Sequence, residues 1–264
     1  RAARRLWART MKDRFHAKDP RSWTLRFHAQ TAGSTLTAQQ PDNNVVRVAL
    51  QAFAAVMGGC QSLHTNGRDE ALALPTEASA RIALRTQQIV ANESGAADIA
   101  DPLGGSYALE ALTDELEERA IAYLTRIDEM GGMVEAIARG YPQREIEEAA
   151  YQYQREIEDK KRVIVGVNEF QVEGQPPFDT MQVDPSLEER QVKKLRAFRA
   201  SRSQEAVQRS VSDLKRGAEG SGNVVPLIVA AVKSKATLGE IANSLREVFG
   251  EHGREKTMQP APHT

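Results

Sequence analysis

The chain is short of cysteine, of aromatic residues, of net charge and of long apolar runs, and each shortage removes a class of explanation. One cysteine, Cys60, in 264 residues excludes an internal disulfide framework and fits a reducing compartment, so a cytoplasmic location is expected. Cys60 has no activating base beside it and reads as a small buried residue. A formal net charge of −1 provides no bulk field to gather nucleic acid or an anionic membrane surface. The longest apolar run, 224–232, is too short to span a bilayer and contains Pro226. No signal peptide is visible, and no membrane association is expected. Convergent His, Cys or carboxylate ligands at recognisable spacing are missing, so no metal site is expected. Gly104-Gly105-Ser106 lacks the lysine and spacing of a phosphate loop and reads as a turn. What remains is an ordinary globular mixture, 41% hydrophobic and 27% charged, enough for one large domain or two small ones.

Two stretches stand out. In the first, Leu25, Phe27 and Ala29 alternate with Arg26, His28 and Gln30. A period of two sends the sets to opposite faces of a strand. The second, Gln61-Ser62-Leu63-His64-Thr65-Asn66, follows a helical segment at 45–57. Both read as buried strands that carry polar groups, and buried polar side chains must find partners, so such strands often serve a site. One wet face of an antiparallel sheet is the plain alternative. The intervening helix favours a parallel βαβ unit instead.

Elsewhere, 2 to about 17 reads as an amphipathic helix whose basic run (Arg1, Arg4, Arg5, Arg9, Lys12, Arg14) forms a solvated face. Asn43 or Asn44 is a plausible cap for the helix at 45–57, and Thr76 for one reaching about 91. A third strand is expected around 97–100, leading into the turn-rich loop 101–106. Long helices follow at about 109–127 and 143–161, the latter with a stripe of Ile146, Ala149, Ala150, Tyr153 and Ile157. Residues 163–167 read as a short strand or extended segment. Beyond the Pro-Gly-rich boundary at 173–177, one long charged helix is expected from 186 to about 217. Thr237 and Glu240 form a capping box for a last helix, to about 249.

Strand–helix alternation over the first hundred residues suggests part of a (β/α) barrel or a doubly wound sheet, whose sites gather at the C-terminal ends of strands. The polar clusters after each strand obey that rule. For His28 and His64 a satisfied core position is the default over acid or ligand roles. Glu70 reads equally as a helix-cap residue or a ligand contact.

The chain resembles the methylmalonyl-CoA mutase family. The resemblance rests on Arg26-Phe27-His28-Ala29-Gln30-Thr31-Ala32-Gly33, Leu36-Thr37-Ala38-Gln39-Gln40-Pro41 and Asn43-Asn44-Val45-Val46-Arg47. It continues, in order, through Gln61-Ser62-Leu63-His64-Thr65-Asn66, Asp69-Glu70-Ala71, Leu74-Pro75-Thr76, Asp101-Pro102-Leu103-Gly104-Gly105-Ser106-Tyr107 and Gly166-Val167-Asn168. It implies an α/β fold: 1–175 as the C-terminal portion of a TIM (β/α)8 barrel, 176–252 as a mostly helical C-terminal extension, and 253–264 as a disordered tail. It also implies an isomerase, the large subunit of an adenosylcobalamin-dependent acyl-CoA mutase that rearranges a branched acyl-CoA by radical chemistry. (R)-methylmalonyl-CoA to succinyl-CoA is the first expectation; isobutyryl-CoA and 2-hydroxyisobutyryl-CoA mutases are alternatives.

Carried over position by position, the resemblance gives Glu70 a hydrogen bond to the adenosyl ribose and places Gly33 beneath the corrin. Ala73 and Leu74 would contact the cofactor from the next loop, and Gln61 would lie beside it. Arg26, His28 and Gln30 would line the acyl-CoA cavity. No catalytic residue is assigned in this chain. The Asp-x-His-x-x-Gly motif whose histidine ligates cobalt is not found in this sequence. A separate cobalamin-binding domain or small subunit, a hetero-oligomer and an upstream half of the barrel are therefore expected partners. Arg1 falls inside what reads as a helix, so the chain is expected to begin mid-domain. From another class, the chain could serve as a non-catalytic binding or assembly module.

Overall fold

The computed structural model describes residues 1–174 and 178–251. Two compact units divide the chain, Arg1–Met181 and Gln182–Thr264. The expected tail and residues 175–177 of the expected boundary lie outside the described residues. The architecture is mostly helical with little sheet, and no described helix is long and apolar enough to cross a membrane.

The first unit opens with helix α1 (Ala2–Arg9), which continues as a π-turn over Thr10–Arg14. Its basic run forms the expected solvated face only in part: Arg9, Lys12 and Arg14 are exposed, whereas Arg1, Arg4 and Arg5 are half-buried. Arg1 bonds Asp101 and Glu110, Arg5 bonds Asp114 and Glu117, Arg9 reaches Glu117 at 2.7 Å, and Arg14 reaches Asp128 at 2.7 Å. All these carboxylates but Asp101 lie on helix α4 (Tyr107–Glu129). Arginines at 1, 5 and 9 recur every four residues and so line one helix face, where they meet an acidic face of α4.

Strand β1 (His28–Gln30) and strand β2 (Ser62–His64) pair in parallel, His28 opposite Ser62 and Gln30 opposite His64, with helix α2 (Asn43–Gly58) as the crossover. The βαβ expectation holds and the antiparallel alternative falls. The strands are shorter than expected, however, and not buried: His28, Gln30, Ser62 and His64 are all exposed. Core status for the two histidines is thereby corrected. Cys60 is half-buried rather than buried.

Helix α2 ends at Gly59, which holds φ +81°, a conformation that glycine adopts without a Cβ penalty. A Cβ there would also strike the Arg4 guanidinium, which donates to the Gly58 and Gly59 carbonyls at 2.5 and 2.9 Å. The expected asparagine caps of α2 are not made. Asp42 stands at the cap position without a side-chain bond, and Asn44 turns fully inward. Its Nδ2 donates to the Thr37 and Arg68 carbonyls, both at 2.9 Å, and its Oδ1 accepts from Thr37 N–H and Arg47.

Helix α3 (Glu77–Glu93) starts as expected, with Thr76 accepting from Ser79 N–H at 3.2 Å. No strand forms at 97–100, which is turns and bends. Alanine-rich sequence has little strand preference, and positive φ at Gly95 and Asp101 closes the segment at both ends. Helix α5 (Met133–Ala138), absent from the sequence reading, follows α4, and helix α6 (Tyr141–Glu158) follows that. The expected apolar stripe of α6 is largely uncovered, with Ile146 69% exposed. Residues 163–167 give one isolated bridge, Val165 to Glu169. Arg47 bonds the Val165 carbonyl and Gln40 the Phe170 carbonyl, both at 2.8 Å, tying this loop to the start of α2.

Among its described residues the second unit has four helices. Where one long helix was expected, α7 (Ser186–Ala200) and α8 (Gln204–Ala218) are separated at 201–203. Ser203 caps α8 by accepting from Ala206 N–H at 3.2 Å, and serine competes well for that role against helix interior. Helix α9 (Val225–Lys233), unassigned in the sequence reading, takes up the apolar run. Pro226 sits in its first turn, where no N–H is needed. Helix α10 (Leu238–Phe249) has the expected capping box. Val207, Leu214, Ala231, Ala236 and Ile241 make the core. Gly217 lets α9 approach closely, since a Cβ would meet Leu227 at 2.2 Å.

Candidate functional site

The pairing of β1 with β2 decides which side chains share a face. Residues opposite one another in a parallel ladder point the same way, so His28, Gln30, Ser62 and His64 form one open row, and exposed Arg26 lies two residues before it. His28 Nδ1 and Ser62 Oγ lie 2.7 Å apart, a contact that fixes the imidazole ring of this exposed residue. The side chains of Arg26 and His64 make no hydrogen bond or ion pair among the described residues.

The chain turns sharply after each strand. Beyond β1, Gly33–Thr35 makes a 3-10 turn. Beyond β2, residues 65–76 fold back over it. Buried Thr65 donates to the Ala83 carbonyl at 2.7 Å, and Thr31 Oγ1 accepts from Asn66 N–H at 3.0 Å. The buried Asn66 amide can be set with Oδ1 toward Gln30 Nε2 at 3.1 Å. Turned over, its oxygen accepts from Gly33 N–H and its nitrogen donates to Thr31 Oγ1 and O, each at 3.3 Å. We favour the turned orientation, because it satisfies both ends of a buried amide.

Gly33 and Glu70 thereby come together. A Cβ on Gly33 would lie 2.8 Å from the Asn66 side-chain amide and 3.3 Å from Glu70 Oε1. The Glu70 carboxylate itself is exposed and has no partner among the described residues. An ionised carboxylate is acceptor-only and can take two hydroxyl donors. Leu74 is 58% exposed on the same loop, and Ala73 is half-buried, its N–H bonded to the Asp69 carbonyl at 2.9 Å.

Gln61 differs from the other expected site residues. Its Oε1 accepts from Phe27 N–H at 2.8 Å and its Nε2 donates to the Gly59 carbonyl at 3.2 Å. Both ends of the amide therefore brace the entry to the ladder. Asn66 and Asp69 are the site-building residues the sequence reading did not single out. The available signal was their adjacency to His64 and Glu70 within a polar loop. Among the described residues no group of three or more His, Cys, Asp or Glu is placed to hold a metal ion.

The site is thus an open polar row ending in an uncommitted carboxylate beside a glycine, at the C-terminal ends of two parallel strands. Comparison with known proteins adds the following. The family model described as methylmalonyl-CoA mutase matches residues 1–251. A probable mitochondrial methylmalonyl-CoA mutase of Caenorhabditis elegans is 46% identical over 253 residues, covering 96% of this chain and 34% of its own length. The mitochondrial methylmalonyl-CoA mutase of Homo sapiens is 46% identical over 98% of this chain and 35% of its own. A methylmalonyl-CoA mutase of Cereibacter sphaeroides is 44% identical over 98% of this chain and 36% of its own. The chain spans about a third of the length of the curated relatives it matches.

Proposed function

The chain belongs to the methylmalonyl-CoA mutase family, and from that premise we propose that it forms part of the large subunit of an adenosylcobalamin-dependent acyl-CoA mutase. In this reading residues 1–175 are the C-terminal portion of a TIM barrel and the helices after 176 are an extension. The substrate is an acyl-CoA, (R)-methylmalonyl-CoA converted to succinyl-CoA. The cobalt is held by a cobalamin-binding domain or small subunit that completes a hetero-oligomer.

One observation carries the proposal. Glu70 presents an unpartnered carboxylate against Gly33, and that acceptor chemistry fits a ribose diol beside a bulky flat ring. Adenosylcobalamin, when bound, supplies the radical chemistry. The residues of this chain bind and orient. Glu70 accepts the ribose hydroxyls. Gly33 keeps a side chain out of the way of the ring, and the exposed Leu74, with Ala73, offers apolar contact and helps exclude water. Arg26, His28 and Gln30 hold the acyl-CoA along the open row, His28 oriented by Ser62. Gln61 supports that row through its backbone bonds, beside the cofactor.

Replacing Glu70→Ala in the complete subunit with its cobalamin-binding partner tests this. Loss of a charged hydrogen-bonding group corresponds to an expected weakening of adenosylcobalamin binding of about tenfold or more. The melting temperature should hardly move, because the side chain is exposed. Unchanged cofactor affinity and unchanged radical yield would remove Glu70 from the site.

A further inference from the structure

Asp69 is fully buried, although it is an aspartate in a surface loop. Its Oδ2 accepts from Thr76 N–H at 2.9 Å, and its main-chain carbonyl accepts from the N–H groups of Leu72 and Ala73 at 2.8 and 2.9 Å. One residue therefore closes a turn at one end of the loop and clamps the other end to the cap of α3. Its second oxygen, Oδ1, has no hydrogen-bond partner and packs against the Gly67 backbone, where a Cβ would lie 2.5 Å away. A buried carboxylate with one oxygen unsatisfied is costly, and a structure retains such a group where its geometry serves something else. What it holds in place is the next residue. Glu70 N–H bonds the Gly67 carbonyl at 3.2 Å, and the Glu70 side chain stands free beside Gly33.

We infer that Asp69 is the positioning residue for the Glu70 carboxylate, acting by fixing the loop 67–76 from both ends. The inference rests on the assignment of Glu70 to the cofactor ribose. Asp69 touches no ligand in this account; it sets the direction in which Glu70 points. An uncommitted, exposed glutamate has several rotamers of similar energy, and a rigid backbone beneath it cuts the cost of orienting it on binding.

The test is a double-mutant cycle in the complete subunit with its cobalamin-binding partner. Adenosylcobalamin affinity is read by absorbance, and amide exchange at Leu72, Ala73 and Thr76 by mass spectrometry. Asp69→Ala should weaken binding about tenfold, the size of coupling found between contacting residues, and should speed exchange at those amides. Asp69→Asn retains a carbonyl oxygen for Thr76 N–H and should restore both readouts to about wild type. Asp69→Ala combined with Glu70→Ala should bind no worse than Glu70→Ala alone, because Asp69 acts through Glu70. A purely structural role would instead make the two losses multiply. If alanine prevents folding, Asp69→Ser, too short to reach Thr76, replaces it with the same expected outcomes. If Glu70→Ala weakens binding while the Asp69 variants bind normally or their losses multiply, the positioning role is overturned and the functional reading stands. If Glu70→Ala binds normally, the functional reading falls, and the positioning role falls with it.

Discussion

Single residues carry tertiary information here that their neighbours in sequence do not reveal. Thr237 and Glu240 form the capping box that their spacing predicts, each bonding the other's backbone N–H. Glu240 has a second task. Arg202, its guanidinium almost wholly buried, donates to both carboxylate oxygens, at 2.5 and 2.7 Å, and to the Lys235 carbonyl. The Arg202 guanidinium first, then the Thr237 N–H and hydroxyl, hold the Glu240 carboxyl down at about 2. A folded carboxyl that titrates below its unfolded value stabilises fully above the unfolded value, and that stabilisation is lost as pH falls through the folded one. The second unit should therefore lose stability between about pH 4.5 and pH 2 in proportion to this group. Acid unfolding followed by circular dichroism should show a shallower decline over that window for Glu240→Gln than for the parent. Equal slopes would mean that the pair does not couple folding to protons. The capping box was legible because its residues lie three apart. The arginine was not, because nothing local marks a partner 38 residues away.

At the level of elements, the contact between α1 and α4 rests on Glu117, only 3% exposed and bonded by both Arg5 and Arg9. Glu117→Ala should lower stability by about 1–3 kcal/mol, and the loss should persist in high salt because the carboxylate is buried. Arg14→Ala, at an exposed pair with Asp128, should show a smaller effect that salt erases. Denaturant titrations at low and high ionic strength check both, and a salt-sensitive Glu117 effect would contradict the burial argument. Helix periodicity located α2, α3, α4, α6 and α10 to within a few residues, because 3.6-residue spacing is a local signal. The same signal ran straight through 201–203, where α7 and α8 are separate helices, because a serine can sit within a helix or cap one and the choice is made by Arg202 reaching Glu240. The basic run of α1 looked solvated for the same reason: its acidic partners lie more than a hundred residues away.

On the scale of the whole chain, the parallel βαβ unit was legible from alternation and an intervening helix, but strand burial was not. Val46 and Leu50, one turn apart on α2, and Leu84 and Ile89 of α3 are apolar yet stand at least half exposed, with nothing among the described residues covering them. Family resemblance brought Gly33 and Glu70 into one site, and the geometry sets them side by side. It gave no role to Asn66 or Asp69, whose roles depend on where two loops cross. The topology has a consequence in time as well as space. His28 and Ser62 are 34 positions apart, and a parallel pair cannot be nucleated by a tight turn. Helix α2 can zip up locally, whereas the ladder must wait for its two halves to be delivered to each other. During refolding, pulsed amide exchange should protect α2 before the N–H groups of Thr31 and Gln61, which bond across the ladder to His64 and Phe27; simultaneous protection would contradict this order. Gly33 and Glu70 sit just past that ladder on opposite chain segments, so the proposed site should be among the last features to mature, and a stalled folding intermediate would carry intact helices without Gly33 and Glu70 brought together.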